Sequence, residues 1–154
     1  MTKVSFIVPT LNRLDYVLRA VASCLVAGEA VVGIETEVVV LDSQSDDGSW
    51  ELLQERFGSD PRVKLVQNKR GLGPTHSWID GVDCATGDYM TFVWSDDYIS
   101  PRFLMRLLPM MNNKTRLAIA LELINKDVVV DEPIWCPPQK RNSMGNRANC
   151  TKLD

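Results

Sequence analysis

Tyr89-Met90-Thr91-Phe92-Val93-Trp94-Ser95-Asp96-Asp97-Tyr98 is an apolar run of β-forming residues that ends abruptly in two adjacent carboxylates, shortly before Pro101 and a helical pattern. Such a run reads as a buried strand that delivers charge to its carboxyl end. Two carboxylates there suit a divalent cation and the polyphosphate it carries, because hard cations take oxygen ligands. Ser and Asp after a strand are also ordinary turn and cap residues, so this stretch alone supports both readings.

Upstream, Val4-Ser5-Phe6-Ile7-Val8 is a compact apolar run that should stop at Pro9, which has no N–H to give a ladder. Thr10 and Asn12 then lie just beyond its end. Leu14, Val17, Leu18, Val21 and Leu25 recur at helical spacing, with Gly28 as terminator. Glu37-Val38-Val39-Val40-Leu41 is a second strand, and Asp42 to Ser49 form a polar loop with cap chemistry for a helix marked by Trp50, Leu53 and Phe57. Val63 to Val66 make a third strand, followed by the basic loop Asn68-Lys69-Arg70-Gly71-Leu72-Gly73. Pro74 fits a first helical position, with Trp78, Ile79, Val82 and Ala85 along the apolar side of a third helix.

After Pro101, Phe103, Leu104, Leu107, Leu108 and Met111 predict a fourth helix ending at Asn112-Asn113. Residues 117–123 and 128–130 read as two short strands around Asn125-Lys126-Asp127, with a helix over 117–124 as the competing reading. Beyond Pro133 the composition turns polar and offers little to bury. The division expected is a domain over residues 1–132 and a loop-like or partly disordered tail over 133–154.

Strands alternating with helices imply right-handed βαβ crossovers, hence an α/β fold: a Rossmann-like, mostly parallel sheet flanked by helices on both faces. With 154 residues the chain is sized for one core. Its 17 Lys and Arg against 20 Asp and Glu give no broad basic face for nucleic acid. Neither a secretory leader nor a spanning helix is legible, so a cytoplasmic protein is expected. Cys24, Cys84, Cys136 and Cys150 form no C-x-x-C pair, which argues for reduced thiols over structural zinc.

Ligands bind outside the carboxyl ends of such strands. Four strand ends carry polar groups: Pro9-Thr10-Asn12, Asp42-Ser43-Ser45, Asn68-Lys69-Arg70-Gly71 and Ser95-Asp96-Asp97. One rim would gather them. Acids there can hold a cation or sugar hydroxyls, and Lys69, Arg70 or backbone N–H groups can meet phosphate oxygens. No G-x-x-x-x-G-K-[ST] occurs, and Gly71-Leu72-Gly73 lacks the context of a dinucleotide fingerprint, so a kinase, GTPase or dehydrogenase is disfavoured. His76, the one histidine, reads as a surface or cap residue, and Asp46-Asp47 as a helix cap.

Ser5 to Arg13, Val38 to Ser49, and Gly81 through Asp88-Tyr89 to Asp97 resemble the successive signatures of family 2 glycosyltransferases with the GT-A fold, in the right order over residues 4–111. The resemblance implies a nucleoside diphosphate sugar as partner, a UDP-sugar favoured, and inverting transfer to an unknown acceptor. It also implies Mg²⁺ or Mn²⁺ at a DxD-type motif. By position, Pro9, Thr10 and Asn12 would border the nucleoside and Asp42 would bond base or ribose. Asp96 would face ribose or sugar, and Asp97 would hold the metal; Ser43 and Arg70 join the donor site from their place on the rim, with a solvated loop charge as the competing reading of Lys69-Arg70.

The chain departs from the family pattern at Trp94, where a first acid is common, at Ser43-Gln44, and at Trp78-Ile79, where an Arg-Asn pair is frequent. Family members also continue past this length with an acceptor-binding half and a carboxylate base. Asp131-Glu132 read as turn residues, so the catalytic base stays unassigned. Two functions remain: a glycosyltransferase reduced to its donor-binding half, or a non-catalytic nucleotide-binding or assembly module, with the sheet edge open to a homo-oligomer.

Overall fold

The computed structural model describes residues 1–68 and 73–111, and the backbone of 119–120, 123–125, 128–130 and 133–134. Two compact units divide the chain, Met1–Pro101 and Arg102–Asp154.

In the first unit, β1 (Thr2–Thr10), β2 (Ile34–Asp42), β3 (Val63–Gln67) and β4 (Tyr89–Phe92) form one parallel sheet in the order β3-β2-β1-β4. The helices α1 (Leu14–Glu29), α2 (Ser49–Phe57) and α3 (Pro74–Cys84) form the crossovers. Phe6, Val8, Val38 and Val40 alternate with Ile7, Val39 and Leu41, and all are fully or almost fully buried. Strands this continuously apolar are covered on both faces. α3 lies on the Ile7–Leu41 face and α1 on the face of Thr36, because an added Cβ at Gly81 meets the former and one at Gly28 the latter. Each large aliphatic side chain in this core contributes about 1.5–3 kcal/mol.

Three expectations for this unit are corrected. β1 does not stop at Pro9: it continues to Thr10, which is in register with Asp42. Ile7 O accepts from Val93 N (2.9 Å), so Ile7 bonds toward β4, while Thr10 O accepts from Ser43 N (2.9 Å) on the β2 side. Pro9, two residues after Ile7, also faces the β4 side, where the ladder with β4 has already ended at Ile7–Phe92. Its missing N–H therefore costs no sheet bond.

The expected burial of β4 is also wrong in part. β4 is an edge of the described sheet, and its alternate residues Met90 and Phe92, with Trp94 beyond, are exposed. The third correction concerns α3. Of the expected core-facing residues Trp78, Ile79, Val82 and Ala85, only Ala85 packs against the Ile7–Val39–Leu41 cluster; the first three are exposed, and Ser77 and Gly81 are buried instead. A Cβ at Gly81 would lie 2.5 Å from Ile7 Cγ2 and 3.3 Å from Leu41 Cδ2, so the helix approaches the sheet more closely than any larger residue allows.

At the amino end of the sheet, Glu37 collects hydrogen bonds from Ser5 Oγ (2.6 Å), Thr86 N (2.6 Å) and Thr86 Oγ1 (2.9 Å), and an ion pair with Lys3 Nζ (2.9 Å). Gly87 N donates to Ser5 Oγ at 2.8 Å. This network locks the turn that feeds β4 onto β1 and β2. Burial by itself would push Glu37 up, but the bonds from Ser5, Thr86 and Lys3 outweigh it and hold the carboxyl down to about 2. Cys24 and Cys84 are free thiols, and burial pushes Cys24 up to about 12.

In the second unit, α4 (Phe103–Leu107) gives way to a 3₁₀ turn over Leu108–Met110. The expected single helix fails at Pro109, whose ring cannot donate to the carbonyl four residues back. The strands β5 (Ile119–Ala120) and β8 (Pro133–Ile134) pair antiparallel, as do β6 (Leu123–Asn125) and β7 (Val128–Val130). The strand expected over 128–130 is present, but its partner is Leu123–Asn125 and not the run 117–123, so Asn125 belongs to a strand and not to the turn. Arg70, Asp131-Glu132, Cys136, Cys150 and most of the polar tail lie outside the described residues.

Candidate donor site at the carboxyl rim

The carboxyl ends of β1, β2 and β4 meet the amino end of α3 around a cavity of about 410 Å³, lined among others by Pro9, Thr10, Asn12, Arg13, Ser43, Ser77, Trp78, Trp94 and Ser95. Of the residues singled out from the sequence, Pro9, Thr10, Asn12 and Ser43 thus share one pocket. Asp42 is in register with Thr10 and fully buried.

Asp42 is half satisfied. Its Oδ2 accepts from Ser45 N (3.1 Å) and Gln67 Nε2 (3.4 Å), whereas Asp42 Oδ1 and Thr10 Oγ1 are, among the described residues, buried side-chain atoms with no hydrogen-bond partner. A buried acceptor left unpaired costs about 1–3 kcal/mol, so two neighbouring ones mark a place where polar atoms from outside the chain would be favourable.

Thr10 lines the cavity and Asp42 lies behind that lining, and the loops around the two are tied to each other. Asn12, at φ +51°, donates its N–H to Ser45 Oγ (2.9 Å) and accepts from Asp46 N through Oδ1 (3.0 Å). Asp47 accepts from Leu14 N (3.0 Å) and Ser49 N (3.0 Å), capping the first turns of two helices, and its hydrogen bond from Ser49 lowers its pKa. The expected cap role of Asp47 is borne out. Ser43 Oγ and Ser77 Oγ lie 2.6 Å apart, and Asn68 Nδ2 donates to Ser77 at 3.5 Å.

Apolar periodicity does not single out Ser77, because it marks only the hydrophobic positions of the helix. The signal present was a stripe of small residues, Ser77, Gly81 and Cys84, at helical spacing. Trp78 and Trp94 were missed as pocket walls. Their rings stand 5.4 Å apart at 59°, and Phe92 lies 6.3 Å from Trp78. Two of the three departures from the family pattern therefore touch, and an aromatic wall stands beside the pocket, 37% exposed at Trp78 and 45% at Trp94.

Asp96 and Asp97 follow as exposed residues on a turn closed by Asp97 N donating to Trp94 O (3.0 Å). Arg13 Nε approaches Asp96 Oδ2 at 3.8 Å. Among the described residues no group of three or more His, Cys, Asp or Glu is close enough to hold a metal ion by itself. Mg²⁺ commonly takes one or two carboxylates and completes its shell with substrate phosphates and water. The exposed Asp97 carboxylate, with Asp96 beside it, fits that shared mode and not a cage made by protein alone.

With this geometry in view, the comparisons with known proteins agree on one family. A model of glycosyl transferase family 2 matches residues 5–150. The chain belongs to glycosyl transferase family 2. An uncharacterized glycosyltransferase of Haemophilus influenzae is 33% identical over 111 residues, 72% of this chain and 43% of that protein. The succinoglycan biosynthesis protein ExoO of Rhizobium meliloti is 34% identical over 105 residues, 68% of this chain and 28% of that protein. This family 2 chain thus spans less than half the length of either relative.

Among solved structures, TarS 1-349 of S. aureus superposes with a TM-score of 0.60 at 31% identity, over 70% of this chain and 32% of that one. The mannosyltransferase PcManGT of Pyrobaculum calidifontis shares the fold with a TM-score of 0.62 at 22% identity, over 72% and 33% of the two chains. The expected GT-A, Rossmann-like fold is borne out. Among the described residues no helix of this family 2 chain is long and apolar enough to cross a membrane.

Proposed function

We propose that the rim pocket binds a nucleoside diphosphate sugar, and that the chain is the donor-binding part of an inverting, metal-dependent glycosyltransferase. The observation that carries the reading is the buried, unpartnered pair Asp42 Oδ1 and Thr10 Oγ1, in register on adjacent strands at the rim. Asp42 supplies an acceptor for a base or ribose donor, and Pro9, Asn12 and Ser43 border the nucleoside. Asp96 faces the ribose or sugar. Arg13 supports the same reading as a cation on the pocket wall, and Arg70 is proposed for the diphosphate from its place in the sequence.

Asp97, with Asp96 beside it, would hold Mg²⁺ or Mn²⁺, which when bound neutralises diphosphate oxygens and eases departure of the nucleoside diphosphate. The chain's own residues orient the donor, and the Trp78–Trp94 wall offers it aromatic surface to pack on. TarS 1-349 has been solved with UDP-GlcNAc and with UDP, and PcManGT with GDP-Man and Mn²⁺. The first two favour a UDP-sugar as donor here. The acceptor is left open, and no base is assigned.

Calorimetric titration of UDP and GDP, with and without Mn²⁺, tests the reading. Binding of one nucleotide is expected to strengthen at least tenfold with Mn²⁺ and to lose that gain in Asp97→Ala. Absence of binding by either nucleotide would overturn donor binding, and an Asp97→Ala protein that keeps the Mn²⁺ gain would overturn the metal assignment.

A further inference from the structure

The Asp96-Asp97 turn leaves β4, an edge of the described sheet, and both carboxylates are exposed and carry like charge. Left to itself, such a turn would sample many conformations and splay the two acids apart. It is fastened to α1 instead. Arg19 Nη2 donates to the backbone carbonyl of Asp96 at 3.1 Å, and the Arg19 guanidinium carbon sits 5.1 Å from the Tyr98 ring centre and 5.8 Å from that of Tyr16. One turn further along the helix, Ser23 Oγ accepts from Ile99 N at 3.1 Å and donates to Ala20 O at 2.7 Å. Positions 16, 19 and 23 lie on one stripe of α1. The attachments bracket Asp97, at Asp96 O before it and at Ile99 N after it.

We propose that Arg19 is a positioning residue: it grips the backbone of the Asp96-Asp97 turn between Tyr16 and Tyr98, so that the carboxylates are held ready for a cation–diphosphate ligand. The choice of atom is the telling feature. Arg19 bonds a carbonyl and leaves the carboxylates of Asp96 and Asp97 out of its hydrogen bond, so it orders the turn without consuming the acids. A planar guanidinium can stack on tyrosine and donate in its own plane at once, which a lysine ammonium cannot do. This inference rests on the donor-binding reading for its ligand, but the ordering of the turn is readable without one.

Amide hydrogen exchange and Mn²⁺-dependent UDP or GDP titration on wild type, Arg19→Lys and Arg19→Ala test it. Residues that orient metal ligands typically change affinity 10–100-fold when replaced. Both variants should exchange the amides of Asp97 and Ile99 at least tenfold faster while the amide of Ile7 in β1 is unchanged. Both should weaken the Mn²⁺-supported nucleotide affinity about tenfold and leave the Mn²⁺-free affinity alone.

Unaltered exchange at Asp97 and Ile99 in Arg19→Ala would overturn the proposal, as would full rescue by Arg19→Lys or an equal loss of Mn²⁺-free and Mn²⁺-supported binding. If wild type binds neither nucleotide, the donor reading fails, and the exchange result alone decides whether Arg19 orders the turn.

Discussion

Replacing Glu37 with Gln tests whether the polar lock at the amino end of the sheet holds β4 in place. Glu37 titrates near 2 in the folded protein against an ordinary value of 4.5, so the folded state favours the charged form. A depressed carboxyl contributes stability that is present above its unfolded value and is lost as pH falls toward its folded value. Here that window runs from about pH 4.5 down to about pH 2. At ~1.4 kcal/mol per pH unit the ceiling is about 3 kcal/mol. The ion pair with Lys3 meets solvent, with side chains 13% exposed at Glu37 and 23% at Lys3, and screening reduces the expected value to about 1–2 kcal/mol.

A glutamine at this position also turns an NH₂ toward donors, since Ser5 Oγ, Thr86 N and Lys3 Nζ all point at the Glu37 carboxylate. Urea unfolding of both proteins from pH 7 to pH 2.5 at constant ionic strength gives the difference directly, because the other depressed carboxyls, Asp47 and the Asp60 held down by its hydrogen bonds from Arg62, are common to both. The gap in stability should be about 1–2 kcal/mol at pH 7, hold to about pH 5, and close below. A gap that stays constant across the range, or widens as pH falls, would refute the assignment of the lock to the Glu37 charge.

Gly81→Val should destabilise by about 1–3 kcal/mol in the same urea assay, since its Cβ falls 2.5 Å from Ile7 Cγ2 on a fully buried strand; unchanged stability would mean that α3 can lift off the sheet. Trp94→Leu should reduce the nucleotide-induced change in tryptophan fluorescence, leaving the share that Trp78 reports, and weaken binding by about 1 kcal/mol, on the scale of one aromatic contact; unchanged affinity together with an undiminished signal would move the ligand away from this wall. The loss of the Mn²⁺ gain in Asp97→Ala and the loosening of Asp97 and Ile99 in Arg19→Ala are read by titration and hydrogen exchange.

Much of the rim was legible because a parallel sheet makes one geometric promise: residues just after each strand converge. That rule brought Pro9, Thr10, Asn12 and Ser43 into one pocket. Periodicity found every helix of the first unit and failed on which face of α3 turns inward. Trp78, Ile79 and Val82 are apolar, but the small residues Gly81, Cys84 and Ala85 are the ones that sit against the Ile7–Leu41 face, and closeness of approach is not written in hydropathy. The same limit hid Ser77, which reaches the pocket floor because its helix is pulled close. Arg19 was invisible as well: on α1 it is simply a polar residue at a helical position, 77 residues from the Asp96 carbonyl it holds.

The sequence by itself determined the alternation of strands and helices, the parallel sheet and the family, because apolar period, turn residues and ordered motifs are local properties of the chain. Tertiary structure alone decided what the strand end at Ser95-Asp96-Asp97 is joined to. Docking on α1 through Arg19 and Ser23, the meeting of Trp78 with Trp94, and the orphaned oxygens of Thr10 and Asp42 all depend on distances between segments far apart in sequence. Packing sets those distances, and no single segment encodes them.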